Sequence, residues 1–514
     1  MDTNTAAPRG DITTLLDLTP RDEQDAEFTP LGAERSWWVP NADRRLHPFS
    51  MSLQTFPLRG PAAWGQRVTF DLGSVNCGDI LLGTVLQVKL SHWFPPHILQ
   101  RLQAQTLAVQ KTDLGNTWYY ANSIGSLLVA RAELEIGDTT IETIDSDSIS
   151  VVNTLWPTLN TGFGIATDGY GRAPSNFLEQ LSATRVPSRF QPAQNPDTEF
   201  WAPRPFPVED GTVLVPIPFF FSRTRLQEGL PLLSIREGDA RIHITFREFK
   251  DCVRQYRGYR SACDSTPLGS ILPAYDIDPK NAIPFPLNPA PVAATQPPQF
   301  QTVQLLTYAA NVHGSVRQAL LRQPHEILYR EMRAIHFAEP LSYTVSVREA
   351  DTIAIQLPLE LSHPVEEILW FIRRKAVSIN NEWTNTGAVL LRDVDPIYNP
   401  QTPLLHSAKL QINGIDVVEG DEAWFRRHIA GAHKGGALAY ETYLYGYSFS
   451  QTPGSHQPNG TANMSRANYV RLLLNVKPPV AQHGETTEWE VKVFVLGCQW
   501  LRFQNGIANR MFMN

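Results

Sequence analysis

A chain of 514 residues is too long to close around one hydrophobic core, and 42% hydrophobic with 10% aromatic residues supplies material for more than one. The net charge of −7 excludes the broad basic surface with which a protein wraps nucleic acid or lies on anionic membranes. Forty prolines against only 18% charged residues exclude long coiled coils and favour a loop-rich β protein.

Residues 1–35 hold eight acids and three bases, too polar a segment to bury itself, and residues 1–49 read as an acidic flexible arm and lead-in. The opening MDTNTAAPRG shows no basic stretch leading into an apolar one, so no secretory signal is expected. From Val68 the pattern alternates apolar and polar in steps of two, at Val68–Leu72, Ala132–Ile136 and Ile242–Phe246. Such alternation predicts antiparallel strands with one wet face. The longest apolar run, Val213–Phe221, contains Pro216 and Pro218 and is too short to span a bilayer. These strands define a first half at residues 50–252.

Nine prolines fall between Pro267 and Pro298. There the alternation disappears, and residues 253–299 are expected to link two domains. The second half, 300–514, alternates again from Ile353 to Leu361, at Leu410 and Ile412, from Leu472 to Val476 and from Trp489 to Val495. Two short helices are expected between strand groups, one at Ser315–Arg322 capped by Ser315 and stopped before Pro324, the other at Glu422–His428.

The halves look like copies. Leu134–Ile136 runs into Gly137–Asp138 and a returning strand, and Leu410–Ile412 runs into Asn413–Gly414 and another, Asn-Gly being a strong type I′ hairpin signal. The first copy is longer, with its extra loop placed within Leu155–Pro207. The fold class that follows is all-β: two tandem eight-stranded antiparallel jelly rolls, with a few short helices in loops.

Chemistry-bearing patterns are sparse. Cys77, Cys252, Cys263 and Cys498 form no C-x-x-C pair and read as reduced thiols. Lys434 lacks the glycine of a phosphate loop, His325–Glu326 lacks a second histidine four residues on, and His428 with His433 is the nearest approach to a metal pair. Glu133 and Glu135 share a strand face at a spacing that suits paired carboxylates in glycoside hydrolysis, although a solvated polar face is the simpler account. Arg247, Lys250, Arg254, Arg257 and Arg260, interleaved with Phe249, Tyr256 and Tyr259, are read as a strand end rather than a nucleic-acid contact. No catalytic, cofactor or metal residue is assigned.

Twelve segments, in order, resemble the major capsid proteins of nucleocytoplasmic large DNA viruses. Val68–Leu72 with Cys77-Gly78-Asp79-Ile80-Leu81-Leu82 is similar to the family's opening strand and its Gly-Asp signature, and Tyr120–Gly125 with Glu133–Gly137 to its next stretch. Pro216–Phe221, Leu230–Ile235 (with Pro231) and Arg241–Phe246 resemble the close of its first roll, and Arg317–Leu328 the opening of its second. Ser362-His363-Pro364 through Trp370, Leu410–Gly414, Tyr443–Phe449 and Gln457–Arg466 complete the series. The last contains Gly460, Asn463, Ser465 and Arg466, with Asn459 where the family has Ser. Asn459 and Asn463 also open glycosylation sequons. Gly460 and Asn463 are expected to serve backbone geometry, and Trp370 to be core.

The resemblance implies a double jelly roll and a homotrimeric, pseudo-hexameric capsomer tiling an icosahedral shell. It implies neighbouring capsomers and minor capsid proteins as partners, the latter meeting residues 1–35, and a virion made in the host cytoplasm around an internal membrane that this chain does not span. No enzyme activity, cofactor or direct sequence-specific nucleic-acid binding is expected. A non-virion assembly scaffold and a carbohydrate-active jelly-roll enzyme are the other readings.

Overall fold

The computed structural model describes residues 49–90, 117–155, 212–256, 271–272, 299–344, 352–387, 403–433, 443–477 and 486–511, apart from short gaps within these ranges. The acidic arm at residues 1–35, the loop insertion after Leu155, and Cys263 lie outside them. The described β-structure lies within one compact unit, Phe49–Asn514.

In chain order the first strands are β1 (Phe49–Pro57), β2 (Arg67–Leu72), β3 (Ile80–Lys89), β4 (Thr117–Tyr120), β5 (Val129–Ile136), β6 (Thr139–Asp145), β7 (Thr212–Pro216), β8 (Ala240–Phe246), β9 (Val253–Tyr256), β10 (Ile271–Leu272) and β11 (Thr302–Val312). One wall has the order β1-β11-β3-β7 and the other β2-β8-β5-β6, with antiparallel pairing throughout. Alternation in the sequence becomes alternation in space: Val68, Phe70 and Leu72 of β2 are buried while Arg67, Thr69 and Asp71 are exposed. The inward residues of both walls form one hydrophobic core.

The second series is β12 (His325–Thr344), β13 (Ile353–Leu359), β14 (Pro364–Arg374), β15 (Leu405–Ile412), β16 (Ile415–Asp421), β17 (Tyr445–Ser448), β18 (Ala462–Asn463), β19 (Val470–Val476), β20 (Thr486–Gln504) and β21 (Ile507–Arg510). Its walls are β12-β20-β14-β17 and β13-β19-β15-β16, again around their own core. Strand for strand this repeats the first order, so each roll closes eight strands into two facing sheets, as the fold class expected from sequence requires.

The duplication reaches single residues. β5–β6 and β15–β16 carry the same one-residue bulge, after Leu134 in one and after Leu410 in the other. Asn413 and Gly414 both take positive φ (51° and 83°), the type I′ pattern, whereas Gly137 is positive at 61° as the first residue of its turn. Each hairpin then feeds a helix through an aspartate: Asp145 accepts from Ser148 N at 2.8 Å ahead of α1 (Ser146–Leu155), and Asp421 from Trp424 N at 2.7 Å ahead of α3 (Glu422–Ala432). Between them in sequence lies α2 (Ser315–Arg322).

Two expectations are corrected. Thr302–Val312, assigned to the second half, is β11 of the first roll, paired on one side with β1 and on the other with β3. The first wall therefore includes residues 302–312, and α2 lies between that wall and β12 in the chain. Residues 273–298, expected to belong to a linker, lie outside the described residues. Ser315 is the first helical residue of α2 rather than its cap; Gly314, at φ 59°, occupies the cap position without a side-chain bond.

Candidate functional site: the junction between the two rolls

Several family-motif residues act at the places where the chain turns or crosses. Gly78 has φ 105°, and a Cβ there would sit 2.8 Å from that of Ala309, so the chain can pass β11 only as glycine. Asp79, next to it and 2% exposed, accepts from Val312 N at 2.9 Å and pairs with Arg317 at 3.0 Å. It thereby joins the start of β3 to the end of β11 and to α2. Its carbonyl accepts from Leu233 N in the turn that follows buried Pro231.

A second knot unites motifs a hundred residues apart. His363, at φ 67°, donates its N–H to Ser465 Oγ at 2.9 Å, and its carbonyl accepts from Met464 N. Pro364 pairs with Asn463, whose side chain accepts from Ser465 N at 3.1 Å. Arg466 is exposed at the end of this turn. Asn459 is engaged by Ser450 Oγ and by Thr452 N. At Gly460 a Cβ would fall 2.3 Å from the Phe449 carbonyl oxygen. Gly460→Ala should therefore lower stability by about 2 kcal/mol or more, read as a lower apparent Tm, because no backbone shift short of breaking this turn relieves the overlap. In the hairpin, Asn413 Oδ1 accepts from Asn468 N at 2.7 Å, fixing the turn against the start of β19. Trp370 is fully buried and meets Phe425 edge-on with centroids 5.1 Å apart.

What the sequence did not reveal is a charged seam between the rolls. Glu142 of β6, with a fully buried side chain, accepts from Phe220 N (2.8 Å), Arg223 Nη2 (2.6 Å) and Met332 N (3.0 Å), and Arg223 donates onward to the Arg330 carbonyl. Arg330 pairs at 2.6 Å with Glu366, also buried. Beside them Asp145 and Asp147 of the first roll meet Lys492 and Arg373 of the second, Arg373 reaching Asp147 at 3.0 Å and also Glu490. An apolar cluster continues the seam, with Val151, Val152 and Leu155 of α1 against Met332, Leu369, Phe371, Phe494 and Leu496. Periodicity hides such residues: in a strand, Glu142 and Lys492 occupy ordinary wet-face positions until another domain covers them.

Burial alone would raise the Asp147 carboxyl, but Arg373 and Lys492 outweigh it and hold the group well below the usual carboxylate range. The same contacts raise Lys492 and Arg373 above their ordinary values against the opposing effect of burial. A depressed acid stabilises the fold above its unfolded pKa and loses that contribution as pH falls, while the raised bases contribute below theirs and lose it as pH rises. The seam is thus expected to hold from about pH 5 to about pH 10. Acid titration should lower Tm below about pH 4, and Asp147→Asn should flatten that part of the profile.

The remaining candidates are placed apart from any shared centre. Glu133 is held by Arg67 and Arg131, and Glu135 faces His243 at 3.4 Å. His428 stacks on Trp424 and Tyr447, whereas His433 bonds Glu367 at 2.8 Å. Among the described residues no group of three His, Cys, Asp or Glu could hold a metal ion, and no helix is long and apolar enough to cross a membrane. Arg247 binds the Leu127 carbonyl and Ser146 Oγ and lies 5.0 Å over the Trp383 ring, a structural role; the side chains of Arg254, Arg257 and Arg260 lie outside the described residues. Cys77 and Cys252 are buried free thiols, Cys498 is buried as well, and burial pushes Cys77 up to about 11. A cavity of about 440 Å³ opens on the seam, but its facing charges Glu331 and Arg510 are paired with each other.

Residues 317–509 match the family described as large eukaryotic DNA virus major capsid protein, and residues 44–271 match the family described as major capsid protein N-terminus. The major capsid protein of Phaeocystis pouchetii virus is 22% identical over 97% of this chain and 99% of its own length. That of Chrysochromulina ericina virus is 22% identical over 70% of this chain, which spans 57% of that relative's length. Among solved structures, the PBCV-1 virus capsid superposes with TM-score 0.59 at 17% identity, covering 92% of this chain and 98% of the other. The Faustovirus major capsid protein superposes with TM-score 0.55 at 12% identity, covering 94% of each. Two family descriptions, which meet the two rolls in turn, and a shared double jelly roll lead to one conclusion: the chain belongs to the major capsid proteins of large eukaryotic DNA viruses.

Proposed function

We propose that this protein is the principal wall unit of an icosahedral virus shell, acting by self-assembly and not by catalysis. The observation that carries this reading is the seam: two like-built rolls are locked side by side by buried ion pairs, giving one stiff block with two equivalent walls. Three such blocks supply six rolls, the number a pseudo-hexagonal tile needs, and tiles repeated around an internal membrane and a DNA genome make the shell.

The purified full chain should sediment at three times 57.7 kDa. A strict monomer at every concentration would falsify the tile. Mature particles should contain the chain in bulk, whereas a scaffold would be absent from them. Residues 1–35, with their excess of acids, are assigned to basic minor capsid proteins on the inner side of the virion. Deleting them should weaken partner capture or shell assembly in the host cytoplasm while leaving the thermal melt unchanged, and unaltered assembly would remove that assignment.

A further inference from the structure

The two rolls do not close completely against each other. β6 is the terminal strand of one wall of the first roll and β12 that of one wall of the second, and the two do not pair with each other. Where they meet, the Glu142 carboxylate stands in for a backbone acceptor and takes Met332 N at 3.0 Å. Beside this contact lies the cavity of about 440 Å³, a volume within the usual range of small-molecule sites. Ala130, Ile141, Met332 and Ala334 make part of its lining apolar, and the rest is polar or charged.

The charges around the cavity are unevenly matched. Glu142 is taken by Arg223, Asp145 by Lys492 and Glu331 by Arg510. Arg131, lining the cavity from the first roll, shares Glu133 with Arg67, so one carboxylate serves two guanidiniums. Arg333, lining it from the second roll, is exposed and makes no ion pair or hydrogen bond among the described residues. Burial raises the Glu331 carboxyl although Arg510 opposes the shift, which weakens the acid two residues before Arg333 on the same strand. Alternate N–H groups of a strand point to one edge, so Ala334 presents its N–H on the side where Met332 meets β6. Thr140 and Thr143 of β6 add hydroxyls. Two guanidiniums short of a counter-ion, an edge amide and two hydroxyls make the donor set of an oxyanion site. A carboxylate would bring two oxygens and one charge to it. A phosphate brings three terminal oxygens and close to two charges, which suits two guanidiniums better.

We propose that the cavity between the rolls binds a small phosphate-bearing ligand, with Arg131 of the first roll and Arg333 of the second holding its phosphoryl oxygens. Thr143 donates beside them, and the apolar lining takes any organic body the phosphate carries. Such a ligand ties the edge of one roll to the edge of the other. Because it binds only where both edges are in place, it stabilises the folded block. The site lies within a single chain and does not depend on the assembly reading.

The test titrates the full chain with inorganic phosphate, pyrophosphate and adenosine monophosphate at constant ionic strength, reading affinity by calorimetry and stability by thermal melt. Ligand at a hundred times Kd should raise the apparent Tm by about 2 °C. Arg333→Gln and Arg131→Gln should each weaken binding about tenfold or more, the loss of a charge-assisted hydrogen bond, with ligand-free melts within about 1 °C of the parent. Arg427→Gln, at an exposed arginine on α3, should bind as the parent does. Tighter binding of adenosine monophosphate than of phosphate assigns an organic phosphate to the site, and equal affinity assigns the free ion. Failure of all the probes to bind at about 10 mM, a concentration that detects even weak sites, overturns the proposal. Parent affinity in either cavity variant overturns it too, as does an equal loss in Arg427→Gln, which would report diffuse surface charge. Should an arginine variant fail to fold, Thr143→Val decides: affinity about threefold lower supports the site, and parent affinity overturns it.

Discussion

Glu142→Ala should cost about 3–5 kcal/mol, because it strands a buried guanidinium. Arg223 is 5% exposed and would lose its carboxylate, while Phe220 N and Met332 N would lose their acceptor in the same step. Removing one partner of a buried pair exposes the full desolvation cost of the other, whereas replacing both with apolar residues can be neutral. Glu142→Leu with Arg223→Met should therefore recover much of what the single change loses. Glu133→Ala provides the contrast: its partners Arg67 and Arg131 are more than half exposed, and such a pair is worth about 0–1 kcal/mol. Unfolding midpoints in denaturant for the four proteins check the order, and equal losses for Glu142→Ala and Glu133→Ala would refute the buried-seam account.

Trp370→Ala should cost about 3–5 kcal/mol by opening a cavity in the second core. The indole is fully buried on β14, and Phe425, Tyr445 and the inward residues of β20 close around it. Trp424→Ala, one helix away and 40% exposed, removes the same side chain from a place where water already reaches it. Its loss should stay within about 1 kcal/mol. A Trp370→Ala variant with the parent's midpoint would mean that the second roll does not close as described.

The single seam also explains why the two rolls are expected to unfold together rather than in turn. β20 runs from the second core at Trp489 to the first at Phe503, and β21 follows it with Ala508 buried in the first. Elements shared between cores couple their stabilities, so one transition in calorimetry is the natural outcome at neutral pH.

How much of this could be read from the chain depended on range. Alternation at Val68–Leu72 and Leu472–Val476 named strands and their inner faces, because which side of a strand is dry is set by neighbours two residues away. The Asn413–Gly414 turn was equally legible, since positive φ is a property of those residue types. Trp370 reads as core from its apolar strand alone. Gly460 and Asn463 read as backbone-setting residues by their types, although the Phe449 carbonyl that forbids a Cβ at Gly460 is visible only in space.

Only the tertiary structure decided what lies against the outer faces. Thr302–Val312 has the pattern of any strand, and nothing local says that it pairs with β1 and β3 instead of opening the second roll. Glu142, Asp147, Arg373 and Lys492 are charged residues at positions where a lone sheet would meet water, and they become a buried seam because a second sheet covers them. Periodicity records the distinction between inside and outside for one sheet at a time; which outside becomes an interface is fixed by the packing of segments hundreds of residues apart, and no short stretch of sequence encodes that.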